Sequence, residues 1–426
     1  MITIGKPYVS VDGNRAYLRA SVKVSDDTAK KYVEETDKLI NTSWLTAVDY
    51  PPAAWKNDNS GLWFSVPSDY QQYLCPERSN AFVVAMLWYA MLTGSDIRFE
   101  APVSKQLYDG LTGTLIPALA KGSFRAIRLE GEVTSERVET QGGVVSGLSC
   151  GADSFYTLHC YGGEDAPVGK KLTHLSYYMA DYLFPFVKPP YDVDVLIDEQ
   201  EKLYNEHVLE YAGMIAEHHK LPFLVVRTNL DRDYYRGGLI FTGMYRFLAC
   251  TLALEHLFSL YLISSSGNAD NVGEPSISSP TQSYEDLICS CCGTESLNYQ
   301  LSDHVSRVKK LEAIADDPDV RQYLSVCYNS AAGGVNCGKC FGCWKTLIPL
   351  DFLGKLDGFS RVFNLKSYYG NRRHVFEQLV HYSFRPEAAA ARDINRQLMS
   401  LAETVTSDSA KEFTEVYTEL QNKNTV

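Results

Sequence analysis

Residues 149–154 read S-C-G-A-D-S, a run of small and hydroxyl-bearing residues that follows the apolar segment 144–148. Small residues let a backbone turn wrap around an anion, and a helix that starts after the turn adds positive potential. The hydroxyls of Ser149 and Ser154 can donate to phosphate oxygens. Asp153 would repel phosphate, so we expect it to coordinate Mg²⁺ or to hold the loop. The segment predicts phosphate binding at a strand-to-helix turn, with a plain turn of small residues as the ordinary alternative.

A cysteine-rich segment farther along has the spacing C-x9-C-x2-C-x2-C, and Gly338 and Gly342 relax its tight turns. Four thiolates with two short spacers suit tetrahedral Zn²⁺ in a closed structural site. An iron–sulfur cluster could use the same ligands, while the density of cysteines argues against free buried thiols. For a second group, Cys289, Cys291 and Cys292, plain packing is favoured over a shared site or a redox function. The predicted metal ligands are Cys327, Cys337, Cys340 and Cys343.

The chain has 426 residues, of which 45% are hydrophobic, and a formal net charge of -12. This length suggests two or three domains. An acidic chain argues against a broad nucleic-acid surface, because such a surface is usually basic. The N-terminal M-I-T-I-G-K lacks the basic and apolar regions of a signal peptide, and the apolar stretches are too short to span a bilayer. We therefore expect a cytoplasmic protein without membrane or nucleic-acid partners, whose cysteines are thiols or metal ligands rather than disulfides.

Strands alternate with helices from about residue 141 onward, which predicts an α/β fold with a parallel sheet and right-handed crossovers. Beyond residue 302 the pattern is mostly helical. Residues 265–284 are rich in Ser, Gly, Asn and Pro and predict a long loop. The predicted strands are 16–24, 97–101, 126–130, 144–148, 172–179, 223–227 and 257–264, and the predicted helices are 80–92, 104–120, 201–218, 239–255 and one that starts at Ser154.

The turn at 149–154 is not a Walker A loop, and it resembles the S-G-G-x-D-S motif of the PP-loop ATP pyrophosphatases. Together with the cysteine segment it resembles the 7-cyano-7-deazaguanine synthase (QueC-like) family, over roughly residues 141–355. The resemblance implies an adenine nucleotide alpha hydrolase-like fold that cleaves ATP between its α- and β-phosphates. It also implies adenylation of the carboxylate of 7-carboxy-7-deazaguanine and attack by ammonia, with ATP, Mg²⁺ and a structural Zn²⁺ as cofactors.

Carried over by position, Asp153, Arg307 and Lys310 would be catalytic, because attack on the α-phosphorus needs charge neutralisation more than proton transfer. The register does not decide between Lys309 and Lys310, and a solvated helix face is the ordinary alternative for these cations. Cys150 stands where the family has glycine, so we expect its side chain to narrow the pyrophosphate pocket. The predicted ATP-binding residues are Ser146, Ser149, Cys150, Gly151, Ala152, Asp153, Ser154 and Tyr177, with Tyr178 also near the adenine and residues 264–268 near the substrate pocket.

We divide the chain into an α+β accessory domain at 1–140, a PP-loop ATP-binding domain at 141–300 and a helical region with the four-cysteine zinc site at 301–426. An added domain suggests recognition of a large acceptor or assembly. QueC-like proteins with added domains occur in antiphage systems, where the resemblance implies that a protein N-terminus replaces ammonia. The sequence thus predicts an AMP-forming C–N ligase that joins a small-molecule carboxylate to an amine, with a protein acceptor and a homodimer as candidate partners.

Several other functions stay open at this point. A free-base 7-cyano-7-deazaguanine synthase would need little beyond the shared domain. A tRNA-sulfurating PP-loop enzyme would need a basic surface and, usually, a catalytic cysteine pair. An amide ligase acting on a peptide or natural-product carboxylate is not separated from deazaguanine chemistry by the sequence. Because Cys150 departs from the family motif, a non-catalytic scaffold that binds nucleotide remains an alternative function.

Overall fold

The computed structural model describes residues 1–42, 61–122, 124–180, 207–230, 234, 239–265, 282–327, 336–385 and 388–424. Within them the chain folds as an α/β protein with parallel and antiparallel strands. The strands are β1 (Ile2–Ile4), β2 (Tyr8–Asp12), β3 (Arg15–Ala20), β4 (Val22–Val24), β5 (Leu62–Pro67), β6 (Ile97–Phe99), β7 (Val103–Ser104), β8 (Leu129–Glu130), β9 (Val133–Thr134), β10 (Gly143–Gly147), β11 (His174–Ala180), β12 (Phe223–Thr228), β13 (Phe258–Ile263) and β14 (Asn298–Leu301).

Helices cover both faces of the sheet and form most of the C-terminal region. Short 3-10 turns lie at Ser68–Tyr73 and Leu356–Phe359. The helices are α1 (Asp26–Thr42), α2 (Asn80–Thr93), α3 (Lys105–Gly110), α4 (Ile116–Leu119), α5 (Ala152–Tyr161), α6 (207–218), α7 (Leu239–Leu252), α8 (Gln282–Cys291), α9 (Arg307–Ile314), α10 (Pro318–Tyr323), α11 (Phe341–Phe352), α12 (Leu365–Gly370), α13 (Arg372–Ser383), α14 (Ala389–Ala402) and α15 (Asp408–Asn424).

The main sheet has eight strands in the order β14-β13-β10-β11-β12-β5-β3-β2. The five strands from β14 to β12 are all parallel, as the alternation of strands and helices predicts. The chain proceeds from β10 to β11 and β12 on one side and then crosses back to β13 on the other side. The order therefore reverses beside β10. In open α/β sheets, ligands bind at such a switch point, outside the carboxyl ends of the strands.

Three N-terminal strands extend this same sheet. β5 pairs antiparallel with β12, β3 pairs with β5, and β2 forms the edge. The inner faces of β3 and β5 are fully buried at Leu18 and Phe64, which belong to the core that also contains Leu224 and Val226 of β12. Strands from the two sides of residue 140 thus share one sheet and one core.

A second sheet, in the order β4-β1-β6-β8, packs beside helix α2. Every residue of α2 is buried, which matches a helix that is apolar all round. The predicted helix at 80–92 is confirmed, and Gly94 ends it in the left-handed conformation with φ of +68°. Ser79, the residue before the helix, makes no side-chain capping bond to it.

The predicted strand at 16–24 is wrong as a single element, because β3 ends at Ala20 and β4 begins at Val22 in the other sheet. The alternation is still present, since Leu18, Ala20, Val22 and Val24 are all buried. The carbonyl of Ser21 instead accepts a hydrogen bond from the N–H of Gly5 at 2.8 Å, and the chain changes sheets there. Periodicity reports which face is buried and not which partner a strand chooses.

Several other predicted elements differ in their bounds, and the strand expected at 126–130 is only Leu129–Glu130. The helix expected at 104–120 is three segments, since a π-helical turn at Leu111–Leu115 separates α3 from α4. Helix α8 begins at Gln282, inside the loop expected at 265–284, of which residues 266–281 lie outside the described residues. The first six residues of the helix expected at 201–218 also lie outside them. Across the described residues, none of the helices combines the length and apolar character that a membrane crossing requires.

Candidate functional site

The turn at 149–154 connects the end of β10 to the start of α5, at the switch point of the sheet. Gly151 is the residue that precedes the helix, and its backbone is extended rather than helical. The first N–H groups of α5 have no partner within the helix, so they point from the turn toward the open end of the sheet. A cleft lies at this turn, lined by Ser149, Gly151, Asp153, Arg307, Ser325, Val326, Cys327 and Lys345.

Cys150 has a left-handed backbone, with φ of +56°, which is unusual for a residue other than glycine. Its side chain is fully buried in the core beneath the turn and does not line the cleft. The expectation that this side chain narrows the pocket is therefore wrong, because the turn directs it inward. Burial raises the pKa of the Cys150 thiol, so the residue stays a neutral packing group. Where the resembling motif has glycine, Cys150 adopts the left-handed backbone conformation that glycine favours. Only the backbone of Cys150 can contact a ligand.

The two serine hydroxyls of the turn behave differently. Ser154 is buried, and its Oγ donates to the carbonyl oxygen of Gly151 at 2.9 Å. Ser149 lines the cleft, and its Oγ lies 3.4 Å from Ser154 Oγ and 3.4 Å from the N–H of Gly151. Both contacts are at the long limit for a hydrogen bond. Ser149 is consequently the hydroxyl of the turn that is available to an anion, while Ser154 holds the turn closed. Ala152 is buried and packs.

Asp153 lies among cations at the mouth of the turn. Arg307 Nη1 lies 2.7 Å from Asp153 Oδ2, and Lys310 Nζ lies 3.4 Å from Oδ1. Burial alone would raise the pKa of the Asp153 carboxyl, but the surrounding cations, Arg307 first, outweigh it and hold that pKa below its ordinary value. Both carboxylate oxygens are engaged, so Asp153 holds the cations in place when no ligand is bound.

Of the two lysines that the sequence left open, Lys310 is the one at the turn. Its side chain is 1% exposed, and Nζ also contacts Asp303 at 2.9 Å and the carbonyl oxygen of Ser265 at 2.6 Å. Lys309, one residue earlier on α9, is exposed. The Nε of Arg307 is buried and has no hydrogen-bond partner within the described part of the chain. A buried donor without a partner beside a cleft is a position where an anion would be favourable.

The sequence did not single out three further residues of the cleft, Ser325, Val326 and Lys345. Lys345 lies in the first turns of α11, two residues after Cys343, and its Nζ lies 5.6 Å from the centre of the Phe341 ring. Ser325 donates its backbone N–H to the carbonyl oxygen of Cys150 at 2.8 Å. A basic residue that follows the last cysteine of the segment was the available signal for Lys345. No local signal marks Ser325.

The residues expected at the adenine and substrate positions are placed as follows. Ser146 lies in β10 and is buried, and its Oγ has no partner among the described atoms. Tyr177 is half-buried in β11. Tyr178 is buried, and its hydroxyl lies 2.8 Å from Thr251 Oγ1, so it packs in the core. Ser264 Oγ lies 2.9 Å from the Thr157 hydroxyl. Residues 266–268 of the expected substrate region lie outside the described residues.

The four cysteines converge as their spacing predicts. Sulfur–sulfur distances are 3.5 Å for Cys340 to Cys343, 3.8 Å for Cys337 to Cys343 and 4.0 Å for Cys327 to Cys340. Tetrahedral zinc with Zn–S bonds of about 2.3 Å requires sulfurs about 3.8 Å apart. Gly338 has φ of +70°, which lets the chain turn between the ligands. The cluster could therefore hold a metal such as zinc.

Other features of this cluster favour a bound cation. The N–H of Cys337 donates to Cys327 Sγ and the N–H of Lys339 donates to Cys337 Sγ, both at 3.3 Å. Such bonds to sulfur are typical of thiolate ligands and orient them. Without a cation the crowded thiols raise the pKa of Cys343, chiefly through hydrogen bonds with Cys327 and Cys340. The second cysteine group differs, since Cys289, Cys291 and Cys292 are buried in the core among apolar residues.

Comparison of the chain with models of protein families, with curated proteins and with solved structures gives no match. A backbone turn, one available hydroxyl and three basic side chains converge at the end of β10. This arrangement can neutralise a polyanion.

Proposed function

We propose that this chain is an ATP-dependent, AMP-forming ligase with a PP-loop fold of the adenine nucleotide alpha hydrolase type. The observation that carries the proposal is the convergence of Arg307, Lys310 and Lys345 on the turn at the sheet's switch point. A triphosphate is the common substrate whose charge needs several cations and backbone N–H groups together. Cys150 with its left-handed backbone supports the likeness to the S-G-G-x-D-S motif, because glycine readily adopts that conformation.

The reaction we propose proceeds in two steps. An oxygen of the acyl substrate's carboxylate attacks the α-phosphorus, and the bond between that phosphorus and the bridging oxygen breaks to release pyrophosphate. An amine then attacks the acyl carbon, AMP leaves with its oxygen, and the amine nitrogen loses a proton to solvent. Arg307 and Lys310 stabilise the charge that accumulates on the departing pyrophosphate, and the N–H groups at the start of α5 bind its oxygens.

Mg²⁺ would supply further charge neutralisation on the phosphates. Asp153 provides carboxylate oxygens of the right type, but Arg307 and Lys310 already occupy them. Asp153 would therefore help to hold Mg²⁺ in the site, and it positions the two cations. The four-cysteine cluster has four protein ligands and no open position, so its zinc would be structural.

For the acyl substrate we propose a deazaguanine carboxylate, 7-carboxy-7-deazaguanine, and for the acceptor an amine, with a protein N-terminus as the candidate. The net charge of -12 disfavours a tRNA substrate. This part of the proposal rests on the resemblance of the turn and the cysteine segment, which together define the QueC-like pattern. The protein would act in the cytoplasm, and antiphage defence is the pathway proposed for it.

The test measures exchange of labelled pyrophosphate into ATP, with and without 7-carboxy-7-deazaguanine, followed by intact mass of products with ammonia or a candidate protein. Carboxylate-dependent exchange and an amide or conjugate are expected. Lys345→Met should reduce exchange at least tenfold, whereas Lys339→Met, an exposed lysine of the same segment, should not. Exchange that depends on a different carboxylate would support the proposed ligase activity but would refute 7-carboxy-7-deazaguanine as its substrate. Binding of ATP without exchange by any carboxylate would favour the scaffold function.

A further inference from the structure

A second group of metal-binding side chains lies away from the cleft. One ligand atom each from Cys75, Glu77 and His256 lies within 4.8 Å of the others. Cys75 and Glu77 come just before α2, and His256 comes between α7 and β13. The cleft lies at the carboxyl ends of the parallel strands, whereas His256 comes directly before the amino end of β13. The group therefore lies at the end of the sheet where β13 begins, opposite the end that carries the proposed ATP site.

The imidazole of His256 is oriented as it is in many metal sites. Its Nδ1 lies 2.8 Å from the carbonyl oxygen of Glu139, to which it donates, and its Nε2 lies 2.8 Å from Glu77 Oε1. A ligating histidine usually donates its other N–H to a carbonyl or carboxylate, which fixes the tautomer and the ring. In the neutral imidazole, Nε2 and the Glu77 oxygen would direct lone pairs at each other, so without a metal a proton bridges them. A zinc ion that replaced this proton would bind both atoms once they moved about 0.5 Å apart, because tetrahedral zinc holds nitrogen and oxygen ligands about 3.3 Å from each other.

The sulfur of Cys75 lies in an electronegative environment. Cys75 is 1% exposed, and its Sγ lies 3.9 Å from Glu255 Oε2. Glu255 is fully buried, and Asn80 Nδ2 and Thr294 Oγ1 donate to its two oxygens at 2.8 and 2.7 Å. Those bonds fix the Glu255 carboxylate next to the sulfur but outside the group of Cys75, Glu77 and His256. A buried carboxylate and a buried sulfur beside the partly exposed carboxylate of Glu77 form an environment that favours a divalent cation.

Arg78, the basic residue of this segment, offsets part of this negative charge from a distance. Its Nη2 donates to the carbonyl oxygen of Glu136 at 3.2 Å, and its Nη1 donates to the carbonyl oxygen of Glu77 at 3.3 Å. The guanidinium thus bonds to backbone oxygens and lies 3.9 Å from the Glu136 carboxylate. The Glu77 carboxylate lies beside His256 and the sulfur and is partly exposed to solvent.

We propose that Cys75, Glu77 and His256 bind a second zinc ion. Thiolate, imidazole and carboxylate are the three protein ligands that zinc accepts, and they leave a fourth position for water. The side chains of His256 and Glu77 are 27% and 41% exposed, so the ion and the water can enter from solvent. The ion would join the segment before α2 to the α7–β13 connection and, through His256, to Glu139. It clamps the N-terminal region to the parallel sheet.

The experiment counts zinc in the purified full-length chain by native mass spectrometry and elemental analysis, after dialysis against metal-free buffer. Two zinc ions per chain are expected. Cys340→Ser and His256→Ala should each remove one ion, and the double variant should bind none. His381→Ala, an exposed histidine outside both groups, serves as the control and should retain both. Glu77→Gln should retain a folded chain and weaken the second ion at least tenfold in a chelator competition.

A count of one zinc per chain in the unmodified protein, lost with Cys340→Ser, would overturn the second site. That count decides the matter even if a substitution at Cys75 or His256 prevents folding. Two ions that both survive His256→Ala and Glu77→Gln would also overturn it, because neither ion would then use this group. None of these outcomes depends on ligase activity, so they stand apart from the test of the proposed function.

Discussion

Ser325 donates its backbone N–H to the carbonyl oxygen of Cys150 at 2.8 Å, which connects the turn at 149–154 to the cysteine segment. Two residues later Cys327 lines the cleft and contributes a sulfur to the metal cluster. Asn336 braces the same stretch, because its Oδ1 accepts the N–H of Val326 at 2.8 Å and its Nδ2 donates to Leu324. The cysteine cluster therefore builds one wall of the candidate active site.

Removal of the zinc ion proposed for the four-cysteine cluster should weaken ATP binding as well as the fold. Cys340→Ser removes a ligand, so the segment from Ser325 to Cys327 is no longer fixed against the turn. We expect a KM for ATP at least tenfold higher and a lower midpoint of thermal unfolding, by analogy with other structural zinc sites. Cys160→Ser, a half-buried cysteine outside the cluster, is the control. An unchanged KM for ATP in a folded, zinc-free variant would show that the cluster does not shape the cleft.

Lys310 and Lys309 form a matched pair on one helix. Lys310→Met removes the ammonium that contacts Asp153 and Asp303, and it should lower pyrophosphate exchange by about 100-fold, the usual effect of removing a charge-stabilising group. Lys309→Met should change exchange less than twofold, because Lys309 is exposed. Steady-state exchange at saturating ATP measures both. A larger loss of exchange in Lys309→Met than in Lys310→Met would assign the charge-stabilising role to Lys309 instead.

Asp153→Asn should lower stability and exchange activity but strengthen the binding of pyrophosphate. The variant removes the carboxylate that pairs with Arg307 and leaves Lys310 paired with Asp303, so the free energy of unfolding without ligand should fall by roughly 2 kcal/mol. Magnesium-free pyrophosphate should bind about tenfold more tightly, since Asp153 no longer competes with it for Arg307. Exchange should fall at least 100-fold. Calorimetry, urea unfolding and exchange give the three values, and full exchange activity in this variant would refute the role of Asp153.

The pH dependence of that stability difference follows from the pKa of Asp153. The folded-state pKa is held below the ordinary value, so the ion pairs contribute fully above the unfolded pKa of about 4. Their contribution disappears as the pH falls through the lower folded pKa. The difference between the unmodified chain and Asp153→Asn should therefore be constant near neutral pH and shrink below pH of about 4. Urea unfolding at several pH values measures it.

Cys150→Gly should leave exchange within twofold, because the thiol is buried and lies outside the cleft. Glycine relieves the left-handed backbone but loses a buried side chain and gains unfolded-state entropy. These effects oppose each other, and we expect a net destabilisation of about 1 kcal/mol. Urea unfolding and the KM for ATP are the measurements. A tenfold gain in ATP affinity would mean that the thiol does obstruct the pocket.

Local signals predicted the parts of the structure that depend on neighbouring residues. The strand–turn–helix at 149–154, the apolar helix at 80–92 and the four-cysteine cluster each lie within one short stretch of chain. The sequence could not show that β5 pairs with β12, because strand pairing between distant segments leaves no periodicity of its own. It also missed Ser325, whose contribution is a backbone N–H that any residue type could supply.

The short junction between β12 and β5 has a consequence for biosynthesis. Among the described residues, two pairs join these strands, Arg227 with Ser65 and Thr228 with Phe64, and Arg15 reinforces them by donating to Ser65 and Val225. Strand β5 leaves the ribosome about 160 residues before β12, which corresponds to roughly 8–30 s at ordinary rates of translation. For that interval the nascent chain carries an uncovered β edge. The junction is therefore where a chaperone would protect the growing chain, and where slow translation would favour aggregation.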